Sequence, residues 1–194
     1  MIESDTFRSL LSRFPSGITI ITARDGDRDV GMTASAFCSV SLWPPLVLVC
    51  VDRNASMHDL LLAHPDLGIN ILSSDQEASS RRFASKRDTN RFEGLGFSRG
   101  ESAVVLLDDA SAQLEARVVC HHDAGDHTIF IAAVERGALI ERQPLLYYRG
   151  SYARLERSRP VAPLAPLNAP APVAASQARL ERPDRTTVAS AAPE

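Results

Sequence analysis

The chain has 194 residues, 44% hydrophobic and 23% charged, enough for one ordinary domain with a substantial core and too little for two comfortable ones. A formal net charge of −3, with no basic patch rich in aromatics, argues against nucleic-acid binding. No apolar run approaches the roughly 18 residues that span a bilayer, and the opening MIESDTFRSLL lacks the basic flank of a secretory signal, so a soluble cytoplasmic protein is expected.

Phe7, Leu10, Leu11 and Phe14 recur at i, i+3, i+4 and i+7 behind Ser4 and Asp5, which predicts an amphipathic helix with a capping residue, stopped by Pro15 and Gly17. Residues 18–23 (ITIITA) and 30–37 (VGMTASAF) flank the turn-like 25–29 (DGDRD) and predict a hairpin. A third strand is expected at 46–51, after Trp43-Pro44-Pro45. Asn54 or Ser56 can cap a short helix that Pro65 ends; a strand follows at 67–72 and a helix near 75–84. The remainder reads as β, with strands at 103–107, 113–122, 127–134 and 145–155. At least six strands and two or three peripheral helices are most economically arranged as a closed or nearly closed barrel, because closure removes exposed edges. Strands and helices do not alternate regularly, so a doubly wound α/β sheet fits poorly.

From Arg157 the composition changes: residues 157–194 hold seven of the 12 prolines and ten alanines but no aromatic residue. Such a segment buries too little apolar surface to offset its ordering entropy, so the expected organisation is a domain at 1–156 and an Ala/Pro-rich disordered tail at 157–194. Five arginines against three acids give the tail +2 and leave −5 on the domain.

Several chemical readings can be set aside. Cys38, Cys50 and Cys120 are odd in number and lack C-x-x-C spacing, which reads as small buried hydrophobes and not as a disulfide framework or zinc site. Cys120, His121, His122 and His127 are poor metal ligands, because adjacent residues on a strand point to opposite faces. In Gly94-Leu95-Gly96-Phe97-Ser98-Arg99-Gly100 the last glycine comes one residue late for a dinucleotide fingerprint, and a strand pattern follows where a helix is needed. No G-x-S-x-G elbow is present.

Residues 31–45 (GMTASAFCSVSLWPP) are dense in small and hydroxyl side chains. Such side chains let a planar ligand reach main-chain N–H and C=O groups, although strand ends and turns also collect Ser and Thr. Residues 31–37 (GMTASAF), with Ser39-Val40-Ser41 and Pro44-Pro45, resemble the flavin-binding signature of the flavin reductase-like family. The resemblance continues in order through Asn54-Ala55-Ser56, Phe83-Ala84, Gly125-Asp126-His127 and residues 144–152 (PLLYYRGSY), covering roughly residues 5–155.

The resemblance implies a mainly β, Greek-key split β-barrel of the FMN-binding type with a few peripheral helices, and a homodimer holding its flavin near the interface. It implies an NAD(P)H-dependent reductase of FMN or FAD that supplies reduced flavin to a partner monooxygenase. By motif position Thr33, Ala34, Ser35, Ser39, Val40 and Ser41 would line the isoalloxazine and ribityl chain. Asn54, Ala55 and Ser56 would meet the flavin phosphate at a helix N-terminus, with Lys86 as cationic partner. His127 would orient the nicotinamide, and Arg149, Gly150 and Tyr152 would border the pocket. Hydride passes between the two cofactors, so no triad is required. Two alternatives stand beside this reading: a flavin-binding electron carrier that never meets nicotinamide, and a split-barrel oxidase of pyridoxine-phosphate type using Arg81, Arg82, Lys86 and Arg87.

Overall fold

Residues 2–85 and 90–155 are described by a computed structural model; Lys86, Arg87 and the expected tail at 157–194 lie outside the described residues. Helix α1 (Ser4–Leu11) has Asp5 in its first turn and Arg8 in its last, where each suits the helix dipole. Its N-cap is Glu3 and no side chain caps it, so the capping expected of Ser4 or Asp5 is corrected: both lie inside the helix.

Strand β1 (Ser16–Gly17) leads into β2 (Thr19–Asp25), which turns through Gly26-Asp27 into β3 (Arg28–Ala34), with Asp25 paired to Arg28. The expected hairpin is there with a tighter turn, and its second strand stops three residues early. Ser35 and Ala36 interrupt the chain before β4 (Phe37–Leu42), which pairs with β5 (Pro45–Asp52). Helix α2 (Ser56–Ala63) has Ala55 as N-cap and no capping side chain, which corrects the role expected of Asn54 or Ser56. The Asn54 side chain is engaged elsewhere: its backbone N–H and Nδ2 both donate to Asp52 Oδ1, at 2.8 and 3.1 Å.

Then follow β6 (Asp66–Ile71), α3 (Glu77–Ala84), β7 (Phe97–Arg99), β8 (Val105–Leu107), β9 (Ala112–Ala124) and β10 (His127–Leu139). The single strand expected at 145–155 is two, β11 (Leu146–Tyr148) and β12 (Ser151–Ala153). Arg149 (φ 52°) and Gly150 (φ 78°) both take positive φ between the paired Tyr148 and Ser151, the backbone that a two-residue type I′ hairpin demands.

The main sheet has the order β3-β2-β6-β9-β10-β5-β4, antiparallel throughout. Its two edges, β3 and β4, are consecutive in sequence and separated only by Ser35 and Ala36. Three steps of about 3.8 Å between Cα atoms cannot span an open sheet seven strands wide, so the sheet curls until its edges nearly meet. The result is a split barrel, mainly β with three helices among the described residues, open along one seam. Two small sheets, β1-β11-β12 and β7-β8, flank it.

Neighbouring residues of a strand point to opposite faces, and β2 is buried on both. Ile21 and Ala23 join Val49, Val51, Leu67, Ile69 and Phe130 beneath Met57, Leu60 and Leu61 of α2. Ile20 joins Leu72, Phe83, Val105, Leu107 and Leu145 on the other side. Double burial is why residues 18–23 carry no charge, their two polar residues Thr19 and Thr22 being buried and donating to the Ala34 and Val105 carbonyls.

In β5, Val47, Val49 and Val51 face the core while Leu46, Leu48 and Cys50 turn outward. The cysteines are free, with Cys38 and Cys120 exposed and Cys50 half-buried, which corrects the expectation that all three pack inside. Burial, with the nearby Cys38, pushes the Cys50 thiol above its ordinary value. No described helix is long and apolar enough to cross a membrane.

Candidate functional site

Beside the seam, the end of β3, the start of α2 and the end of α3 converge on a cavity of about 340 Å³. Its lining comprises Met32 and Thr33 from β3, Asn54 and Ala55 before α2, Ser56 and Met57 in the first turn of α2, Phe83 and Ala84 closing α3, and Arg91. The volume sits near the lower end of small-molecule sites, roughly 300–1,000 Å³.

Helix α3 can lie this close to β3 because Gly31 has no side chain: a Cβ there would come within 2.5 Å of Phe83 Cε1. Phe83 is buried and meets Phe92 edge to face at 4.9 Å, so it has little freedom to retreat. Thr33 Oγ1 donates to the Ser80 carbonyl at 2.7 Å, which fixes Thr33 against α3. The Ser80 and Tyr152 hydroxyls lie 2.8 Å apart, so Tyr152 braces this wall from behind.

Polarity comes from two sources. The first-turn N–H groups of α2 have no capping side chain, which leaves the positive end of the helix dipole facing the cavity. The Arg91 guanidinium is held by two carbonyls, donating to Gly31 O and Ser85 O at 2.6 Å each. One side of the cavity is therefore electropositive, while Met32, Met57 and Phe83 make the rest apolar.

The β9–β10 hairpin turns through Gly125 (φ 67°) and Asp126. His127 opens β10 directly opposite Asp52, the residue that holds Asn54, so Asp52 connects the hairpin tip to the loop before α2. Asp126 Oδ1 lies 2.7 Å from His127 Nδ1, and this hydrogen bond holds the Asp126 carboxyl below the usual carboxylate range. Arg53 pairs with Asp123 at 2.6 Å and donates its backbone N–H to Asp126 O at 3.1 Å. The Arg53 contact likewise depresses the Asp123 carboxyl.

Of the residues singled out from sequence, Thr33, Asn54, Ala55 and Ser56 share this cavity with Phe83 and Ala84. Ala34 is buried behind it and Ser35 lies in the seam. Ser39, Val40 and Ser41 run along β4 and do not line the cavity; Ser41 Oγ accepts from the Trp43 N–H at 3.1 Å. Arg149 and Gly150 form the β11–β12 turn, away from the lining, and Lys86 lies outside the described residues. Arg81 is paired to Glu77 at 2.8 Å and stacked 4.7 Å above Tyr152, while Arg82 donates to Glu93 O. Neither lines the cavity, so half of the basic set required by the phosphate-oxidase alternative is engaged elsewhere. Sequence reasoning missed Met32, Met57 and Arg91: the methionine side chains carry no polar group that marks a ligand contact, and Arg91 acquires its place through contacts 6 and 60 residues away.

The family model described as "Flavin reductase like domain" matches residues 11–156. The chain belongs to this family. It is similar to a flavin reductase (NADH) of Kitasatospora aureofaciens, 39% identical over 159 residues, covering 79% of this chain and 83% of the relative. It is also similar to the reductase component of an FADH(2)-dependent resorcinol hydroxylase from a Rhizobium species, at 40% over 150 residues, covering 75% and 84% of the two chains. Among solved structures, an NADH:FAD oxidoreductase of Streptomyces globisporus in complex with NAD and FAD fragments superposes with a TM-score of 0.76 at 34% identity, covering 81% of this chain and 97% of the other.

Proposed function

We propose that the protein is an NADH-dependent flavin reductase that passes hydride from the nicotinamide to FMN or FAD and supplies reduced flavin to a partner monooxygenase. The observation that carries this reading is the common cavity: residues from separate flavin-reductase motifs, at positions 33, 54–56 and 83–84, wall one space. The space suits a flavin, being apolar along Met32, Met57 and Phe83 and electropositive at the α2 end.

When bound there, flavin supplies the hydride acceptor. Thr33, Met32, Met57 and Phe83 would flank the ring and exclude water, while the N–H groups of Ser56 and Met57 with Arg91 would hold the phosphate. His127, steadied by Asp126, would orient the nicotinamide amide from the hairpin side. The relatives' names favour NADH as donor and a monooxygenase as recipient.

A homodimer is part of the proposal. Leu46 and Leu48 of β5 and Ile129, Ile131 and Ala133 of β10 share the outward face of paired strands, and Leu42 and Trp43 are 86% and 92% exposed beside it. An antiparallel sheet face turned to water normally carries polar residues, so a second copy is the occupant we assign to it. The expected compartment is the cytoplasm, where NADH is available.

The deciding experiment mixes purified protein anaerobically with NADH or NADPH and a small excess of FMN or FAD, following the nicotinamide and flavin absorbance bands together. Simultaneous loss of both bands establishes the reductase and its preferred pair. Flavin fluorescence showing binding while neither band moves would give the electron-carrier reading the lead.

A further inference from the structure

His58 lies in the first turns of α2, just beyond the two residues that line the cavity, and is only 9% exposed. Its ring is engaged on every side. Nδ1 is 2.8 Å from Asp59 Oδ1, Nε2 is 3.0 Å from Thr128 Oγ1, and the ring meets Phe130 edge to face at 5.9 Å. Thr128 is 1% exposed and follows His127; its hydroxyl also donates to Asp123 Oδ1 at 3.4 Å, and Asp123 pairs with Arg53. A chain of polar contacts thus runs Asp59–His58–Thr128–Asp123–Arg53, from the helix assigned to the phosphate round to the hairpin assigned to the nicotinamide.

The rest of α2's attachment is apolar, through Met57, Leu60 and Leu61 in the core. Apolar packing holds a helix down but is nearly indifferent to small rotations and slides, whereas a hydrogen bond between two buried groups is directional. Among the described residues the His58–Thr128 contact is the side-chain hydrogen bond that joins α2 to β10. It therefore sets where the N–H groups of Ser56 and Met57 stand relative to His127.

We propose that His58 is a positioning residue: through Thr128 it fixes the α2 N-terminus against the hairpin, so that the phosphate of the flavin is recognised in register with the nicotinamide. The inference rests on the flavin reductase reading above, and its readout is chosen so that the two can fail separately. The probes are FMN and riboflavin, which share the ring and differ in the phosphate. Wild type is expected to bind FMN more tightly than riboflavin and to oxidise NADH with either.

In His58→Leu and in Thr128→Val the preference for FMN over riboflavin should fall about three- to tenfold, the value of one hydrogen bond. The KM for NADH should rise while kcat with saturating flavin stays within about twofold. The double variant should lose no more than either single one. His58→Gln, whose amide can reach the Thr128 hydroxyl, should recover most of the preference.

A lower melting temperature with an unchanged FMN-to-riboflavin ratio would overturn the proposal and leave His58 as a core strut. Losses that simply add in the double variant would overturn it too. Wild type that oxidises NADH but does not distinguish FMN from riboflavin would leave the reductase standing and remove this inference. Wild type without NADH oxidation would remove the underlying reading itself.

Discussion

Thr33 occupies a position where two demands meet: its hydroxyl is committed to the Ser80 carbonyl, and its remaining surface walls the cavity. Thr33→Arg breaks the first and fills the second, so flavin Kd should rise about a hundredfold or more, read by quenching of flavin fluorescence, with the circular dichroism of the folded protein retained. His127 faces a different test because its ring is held from the hairpin side by Asp126. His127→Ala should raise the KM for NADH about tenfold while flavin Kd moves less than twofold; equal shifts in both would return the histidine to a structural role. Gly31→Ala acts without touching ligand. The new methyl must displace Phe83, which is wedged against Phe92, and overpacking of this kind costs about 1–3 kcal/mol, measurable by denaturant titration. The roles of Thr33 and His127 are suggested by motifs local in sequence. Those of Arg91 and His58 are not, because Arg91 reaches a carbonyl 60 residues earlier and His58 a hydroxyl 70 residues later.

Strands long enough to carry a run of β-branched and apolar residues announce themselves in sequence, and very short strands do not. Residues 127–134 (HTIFIAAV) are readable as β10 from such a run and not from alternation, because Thr128, Phe130 and Ala132 face the core while the outward Ile129, Ile131 and Ala133 are apolar as well. The doubly buried β2 is legible from the same kind of run, interrupted by Thr19 and Thr22, whereas the small sheet β1-β11-β12 is hidden because its strands have three residues or fewer. The Arg149-Gly150 turn is the signal that divides residues 145–155 in two. Strand β9 also carries a charge into the interior. Glu115 is buried, and burial pushes its carboxyl up. Hydrogen bonds from the Ser102 N–H and hydroxyl and from the Glu101 backbone, with Arg136 nearby, more than reverse this and hold it below its ordinary value of 4.5. A carboxyl depressed in the folded state contributes stability above its unfolded pKa and loses it as pH falls through the folded one. The melting temperature should therefore drop as pH descends below about 4.5, and Glu115→Gln, less stable at neutral pH, should show a shallower drop over that interval.

At the scale of the molecule, the family match ends at residue 156, where the composition changes. A chain truncated after Glu156 should retain NADH:flavin activity within about twofold of the full chain, as the Ala/Pro-rich, aromatic-free composition of residues 157–194 leads one to expect. A large loss would show that residues 157–194 complete the site. The barrel was legible from strand number and from the scarcity of helices between strands, whereas its opening was legible only through the resemblance to the flavin reductase-like family, since Ser35 and Ala36 carry no mark that separates them from the small residues on either side.

That opening has a bearing on aggregation. A free strand edge is a template on which another chain can add a strand, and a split barrel has two such edges. Here the edges are drawn together by a two-residue link, and each is blunted further. Arg91 occupies the Gly31 carbonyl on β3, and an irregularity between Ser39 and Ser41 breaks the register of β4. The barrel can thus stay unsealed without offering a smooth ladder for intermolecular strand addition, and the second copy proposed above is expected on the broad face of the sheet and not on its rim.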